Sequence, residues 1–186
     1  ASMYMLSETG SVYVRQAISE AAALCGRTEF IVNYKLCVPC LLGLEGPIAD
    51  ELKRLGMQDV KNENGRVYFT GGFEAMAEAN LNLRIGERVL IELGRFEARS
   101  FEELFQGTKA LPWESIIPSD GAFPGKGYSL NSQLFSVSDC QKIIKKAIVE
   151  RLKKVYGIEW FAESAELYQV QFSIMKDRVS LCIDTS

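Results

Sequence analysis

Between Met57 and Gly72 the chain reads MQDVKNENGRVYFTGG, two short runs on either side of Asn64-Gly65. An Asn-Gly pair supplies the positive-φ residues of a two-residue turn, so the runs are expected to pair as an antiparallel hairpin. That hairpin constrains its surroundings. Ahead of it, Ile48, Ala49, Leu52 and Leu55 recur at helical spacing from about Pro47, a residue suited to a first turn, to Gly56. Behind it, a second helix is predicted from about Phe73 to Leu83, and outside both helices lie the apolar runs EFIVNYKLC and ERVLIELGRFEA. Strand, helix, hairpin, helix, strand is an α+β plan like a split βαβ unit, with helices covering one face of a mostly antiparallel sheet.

The rest of the chain repeats the same classes of element. Ser11 to Gly26 carries Val14, Ile18, Ala21 and Cys25 at helical spacing, with Gly26 as C-terminal cap. Ser100 and Glu103 stand at capping-box spacing, predicting a short helix that stops by Gly107. PSDGAFPGKG reads as a connection, YSLNSQLFS as a strand, and SDCQKIIKKAIVERLKKVYG as a long helix with Ser138 and Gln141 as its capping pair. Two alternating strands, YQVQFSIM and RVSLCIDT, close the chain through a turn at Lys176-Asp177. Residues 1–28 are read as a helical N-terminal extension or vector-derived sequence, 29–108 as a first small domain and 109–186 as a second.

Function classes are pruned by what is missing. The 186 residues contain no histidine, which removes histidine general bases, Ser-His and Cys-His nucleophile pairs and mixed Cys/His zinc sites. No run approaches the length of a membrane span and no signal pattern opens the chain, so a cytoplasmic protein without a membrane partner is expected. Five scattered cysteines do not form a secreted disulfide framework. Cys37-Val38-Pro39-Cys40 has the spacing of a thiol redox pair. A reactive thiolate, however, needs a depressed pKa, commonly from a helix N-terminus, and here Leu41-Leu42-Gly43 intervene before the helix. The preferred reading is two small hydrophobes at the end of a core strand.

Net charge is −3, so any case for a nucleic-acid partner rests on local distribution. Residues 1–108 hold 11 basic and 15 acidic side chains, whereas 136–157 hold six basic against two acidic. At about 100° per residue, the long helix gathers Lys142, Lys145, Lys146 and Lys153 on one arc. Cys140, Ile144, Ala147, Ile148 and Val155 fall opposite, and Arg151 lies inside the apolar arc, where a snorkelling stem or a carboxylate partner would explain it.

Five stretches, GLEGPIADELKRLG, NGRVYF, EARSFEELFQGTKALPW, SQLFSVSDCQKIIKKAIVERLKK and LCIDTS, together resemble one family in order and spacing over roughly residues 36–186. It is the N-terminal, RNA-binding half of the bacterial THUMP-containing methyltransferases of large-subunit ribosomal RNA guanine N2, often labelled N6-adenine-specific DNA methylases. The resemblance implies a ferredoxin-like N-terminal domain followed by a THUMP domain, both α+β with mostly antiparallel sheets and packed helices. In that family a C-terminal Rossmann-like domain binding S-adenosylmethionine comes next. The sequence contains no Asn-Pro-Pro-Tyr-type motif and no Gly-x-Gly-x-x-Gly loop, so no cofactor and no catalytic residue are expected in this chain.

On that resemblance the expected partner is structured RNA, from the large ribosomal subunit, read through shape, phosphate and 2′-hydroxyl contacts. Lys142, Lys145, Lys146 and Lys153 are the candidate phosphate ligands, with Lys109 and Lys126 in adjoining loops. Ser132 and Gln133, on the preceding strand, are candidates for sugar or base edges. Trp113 is read as an inter-domain packing residue. Two other readings stand beside this one: a small thiol oxidoreductase using Cys37 and Cys40, and a protein-binding α+β domain without RNA binding.

Overall fold

The computed structural model describes residues 33–160 and 166–185, in two compact units that divide between Ile91 and Glu92, with Thr185 returning to the first. The helix predicted at Ser11 to Gly26 lies outside the described residues. The division falls well ahead of the boundary expected at 108/109, because the helix that follows Ser100 packs within the second unit.

The first unit contains β1 (Tyr34–Pro39), α1 (Glu45–Arg54), β2 (Gln58–Glu63), β3 (Arg66–Gly71), α2 (Phe73–Asn82) and the start of β4 (Leu90–Glu97). Strand order is β2-β3-β1-β4, with β1 antiparallel to both β3 and β4. Leu36, Val38, Val67 and Phe69 are buried together with Ile48, Ala49 and Leu52 of α1 and Met76 and Ala79 of α2. β1 extends past Cys37 to Pro39, so the CVPC stretch belongs largely to the strand. α1 begins at Glu45, two residues before Pro47, which still sits in the first turn where its missing N–H is harmless. In the hairpin turn only Gly65 takes a positive φ, at 73°; Asn64 does not.

The second unit holds the rest of β4, α3 (Phe101–Ala110), a 3-10 turn (Trp113–Ser115), β5 (Gly125–Leu130), α4 (Val137–Tyr156), β6 (Val170–Met175) and β7 (Arg178–Asp184). The order is β4-β7-β6-β5, with β6 and β7 antiparallel and β5 parallel to β6. The β6–β7 turn has positive φ at both Lys176 (50°) and Asp177 (62°), the backbone that Asn-Gly was expected to supply elsewhere. Trp113 is fully buried inside this unit and donates its indole N–H to the carbonyl of Thr108 at 2.7 Å, so it is a core residue of the second unit.

Three boundaries differ from the sequence reading for packing reasons. α3 runs through Gly107 to Ala110, because a Cβ at Gly107 would lie 2.4 Å from the Phe96 ring; the glycine is there for close approach, not to end the helix. β5 includes the expected Tyr128–Leu130 but begins three residues earlier, inside the Gly/Pro-rich connection, where a Cβ at Gly127 would stand 2.1 Å from the Phe172 carbonyl oxygen. Residues 131–136, expected in the strand, form the turn that follows it. Ser136, not Ser138, occupies the N-cap position of α4, without a side-chain capping bond, and the helix ends at Gly157 with φ 65°. Among the described residues no helix is long and apolar enough to cross a membrane.

Candidate nucleic-acid interface

α4 buries Cys140, Ile144, Ala147, Ile148 and Leu152 against the second unit. Val155, expected on that face, is 45% exposed; the last turn is held by polar groups instead. The Tyr156 hydroxyl donates to the Ile117 carbonyl at 2.7 Å, and the Arg151 guanidinium grips the Glu114 carboxylate, with Nε to Oε2 at 3.0 Å. Of the two explanations for its position on an apolar arc, a snorkelling stem or a carboxylate partner, Arg151 has the carboxylate. The guanidinium holds the Glu114 carboxyl below the usual carboxylate range, while Glu114 pushes Arg151 up.

The opposite face carries the lysines, which divide into two sets. Lys109 of α3 donates to the Glu150 carboxylate of α4 at 2.8 Å, and this hydrogen bond, with the charges of Lys146 and Lys153 behind it, lowers the Glu150 pKa. Lys109 is thus paired with a carboxylate of α4, and Lys153 is half-buried. Lys142, Lys145 and Lys146 are exposed. Lys142 reaches Asp139 at 3.3 Å with 77% of its side chain in solvent, a pairing of little energetic weight. Lys145 lies 5.9 Å over the Phe123 ring, and Lys146 and Lys109 stand 5.6 Å and 5.3 Å over the Phe105 ring. In each case it is the ammonium group that lies over the ring face.

Lys126 is exposed on β5, and Gln141 of α4 donates its side-chain amide to the neighbouring Gly125 carbonyl at 2.5 Å. That bond brings Lys126 next to α4, and Gln141 serves it instead of capping the helix. Ser132 and Gln133 occupy the turn after β5, not a strand. The Ser132 hydroxyl donates to the Leu130 carbonyl at 3.0 Å and accepts from the Asp177 N–H at 3.1 Å, and the Gln133 N–H donates to the Asp177 carboxylate at 2.8 Å. The Ser132 side chain and the Gln133 backbone therefore staple this turn to the β6–β7 turn. Sequence reading passed over exposed side chains beside them: Phe135 (83%) and, two residues along β5 from Lys126, Tyr128 (43%). Phe135 was hidden because LFS was assigned to a strand, where an aromatic is expected to pack.

The two domains this geometry suggests are both matched by known families. The RlmL ferredoxin-like domain matches residues 35–90 and the THUMP domain matches residues 98–184. The chain is an RlmL-type ferredoxin-like domain followed by a THUMP domain. Over 156 residues it is 42% identical to the "Putative RNA methyltransferase YpsC" of Bacillus subtilis (strain 168), which covers 83% of this chain and 40% of that protein. It is 28% identical over 138 residues to the ribosomal RNA large subunit methyltransferase K/L of Pseudomonas putida (strain W619), 72% of this chain and 18% of that one. The crystal structure of "SMU.472, a putative methyltransferase complexed with SAH" superimposes with a TM-score of 0.79 at 37% identity, covering 82% of this chain and 41% of that chain. The chain thus spans about two-fifths or less of each of these relatives.

Within the ferredoxin-like domain the cysteines follow the structural reading. Cys37 is fully buried in β1. Burial first, and the Glu45 carboxylate second, push the Cys40 thiol up, opposite to the shift a redox nucleophile needs. Cys40 is also separated from the N-terminus of α1 by the Leu41–Leu44 turn, in which Gly43 has φ 96°.

Proposed function

We propose that this chain is the RNA-binding part of an S-adenosylmethionine-dependent RNA methyltransferase, delivering a guanine of structured large-subunit ribosomal RNA to a Rossmann-like catalytic domain that acts on N2. The observation that carries the reading is a THUMP domain whose longest helix turns Lys142, Lys145 and Lys146 to solvent on a protein that is acidic overall. The ribosomal target and the methyl donor come to this chain from the name of the K/L relative and the SAH in SMU.472. Lys126 extends the phosphate-binding surface, and Phe135 and Tyr128 are suited to stack on unpaired bases. Lys109, Lys153, Ser132 and Gln133 act behind the surface, Lys109 and Lys153 through Glu150, and Ser132 and Gln133 through Asp177.

Each lysine–phosphate contact releases counterions, so removing one lowers the slope of log K against log salt by about 0.7 to 0.9. A K142Q/K145Q/K146Q variant titrated with large-subunit rRNA fragments at several salt concentrations is expected to lose on the order of two units of slope. Its melting temperature should be unchanged, since surface substitutions stay within about 0.5 kcal/mol. K109Q/K153Q should do the reverse, with little loss of slope and up to about 1 kcal/mol of stability. An unaltered slope in the triple variant would remove α4 from the RNA surface, and no RNA binding by the parent chain would favour a protein-binding domain.

A further inference from the structure

The stretch CVPCLLGLEG has no role in the RNA reading, yet its local structure is built with care. Leu41 and Leu42 are 77% and 78% exposed, in a turn closed by the Leu44 N–H donating to the Leu41 carbonyl at 3.1 Å. The Glu45 carboxylate accepts from the Gly43 N–H at 2.7 Å and from the Gly65 N–H of the hairpin at 2.8 Å, and Cys40 N–H donates to the Gly65 carbonyl at 2.9 Å. The turn is fixed, and its leucines are held outward. Ile85, 41% exposed, lies in the connection that leads into β4 at this same end of the sheet, because β4 runs antiparallel to β1 with Leu90 opposite Cys37. Leu81, 82% exposed, is in the last turn of α2. Arg84 and Glu87, both exposed, interrupt the apolar residues, giving the apolar centre and charged rim of an interface.

Thr185, the last described residue, lies at this end as well. Thr185 donates its N–H and its hydroxyl to the Val89 carbonyl at 3.1 and 2.7 Å, and accepts from the Asn80 side-chain amide at 3.0 Å, one residue from Leu81. In YpsC the matched region is 40% of the protein. We infer that Leu41, Leu42, Leu81 and Ile85 form the docking surface for the catalytic domain proposed above. The leucine turn then fixes the angle at which an RNA-binding half presents its substrate to a catalytic half. This inference rests on the proposed function for the existence of that domain, but not on what the domain does.

The test uses the protein translated from the complete reading frame. Leu81→Cys, and Leu42→Cys on a Cys40→Ser background, are labelled with a maleimide and compared with Leu130→Cys, a site on β5 that is 53% exposed. Labelling at 42 and 81 is expected to be at least tenfold slower than at 130; equal rates at all three overturn the inference. Protection that disappears on dilution, with a dimeric mass by light scattering, assigns the surface to a second copy and also overturns it. S-adenosylmethionine binding is measured on the same proteins. Binding without protection defeats the docking inference alone, and protection without binding defeats the methyltransferase reading alone.

Discussion

Glu114 and Glu45 are both held by donors, but of different kinds. For Glu114 the donor is a guanidinium reaching across from α4; for Glu45 they are backbone N–H groups, that of Gly65 first and that of Gly43 among the rest. Both carboxyls are lowered in the folded state. A lowered folded pKa contributes stability that is fully present above the unfolded value and is lost as pH falls through the folded value. Urea melts are therefore expected to show stability declining from about pH 5 toward pH 3. Glu114→Gln should cost about 1 to 2 kcal/mol at neutral pH, since the pair is only partly shielded, and should flatten the acid decline. An undiminished acid slope in that variant would mean that other carboxylates carry it. The sequence marked Arg151 as conspicuous on an apolar arc, to be explained by a snorkelling stem or a carboxylate partner. It could not say which carboxylate, because Glu114 lies on a 3-10 turn whose position only packing decides.

At the scale of elements, one capping pair was read correctly from local chemistry, the Ser138–Gln141 pair was not, and two glycines were misread because a distant residue decided. The Ser100–Glu103 capping box is present in full: the Ser100 hydroxyl accepts from the Glu103 N–H at 3.2 Å, and the Glu103 carboxylate accepts from the Ser100 N–H at 3.3 Å and the Arg99 N–H at 2.6 Å. Ser100→Ala is expected to cost about 1 kcal/mol in a denaturant melt, and Glu103→Gln less, because the amide keeps an acceptor. Equal stability of Ser100→Ala and the parent would show that α3 is held by packing alone. Gly107 and Gly127 are the opposite case. Both looked like breakers, and each is required by a partner far along the chain, the Phe96 ring and the Phe172 carbonyl. The same holds for β5, whose parallel pairing with β6 has no local signature in a Gly/Pro-rich run.

For the molecule as a whole, the order of its two domains was legible because each brings several short stretches in fixed order, whereas the division between them was not. A composition shift pointed to 108/109; the structure divides at Ile91/Glu92, within one strand that serves both units. The proposed division of labour has a direct consequence for the cofactor. A nucleoside cofactor is commonly held where a glycine-rich turn leads from a strand into a helix. Among the described residues, β1 leads into α1 through Gly43, but its N–H is already taken by the Glu45 carboxylate. β3 leads into α2 through Gly71, where the Ala75 side chain fills the space, a Cβ there lying only 2.4 Å from it. β4 enters α3 through the Ser100 cap, and β5 enters α4 through a turn stapled to Asp177. The β3–α2 connection borders an open cavity of about 350 Å³ with Gly56 and Gly71 in its lining, but none of these connections carries a Gly-x-Gly-x-x-Gly turn. Calorimetry is therefore expected to detect no binding of S-adenosylmethionine to the 186-residue chain at micromolar concentrations, while salt-dependent RNA binding is retained. The protein from the complete reading frame should bind both. Micromolar cofactor binding by the 186 residues would place a site in a domain read here as serving RNA alone, and the partition of binding from chemistry would have to be abandoned.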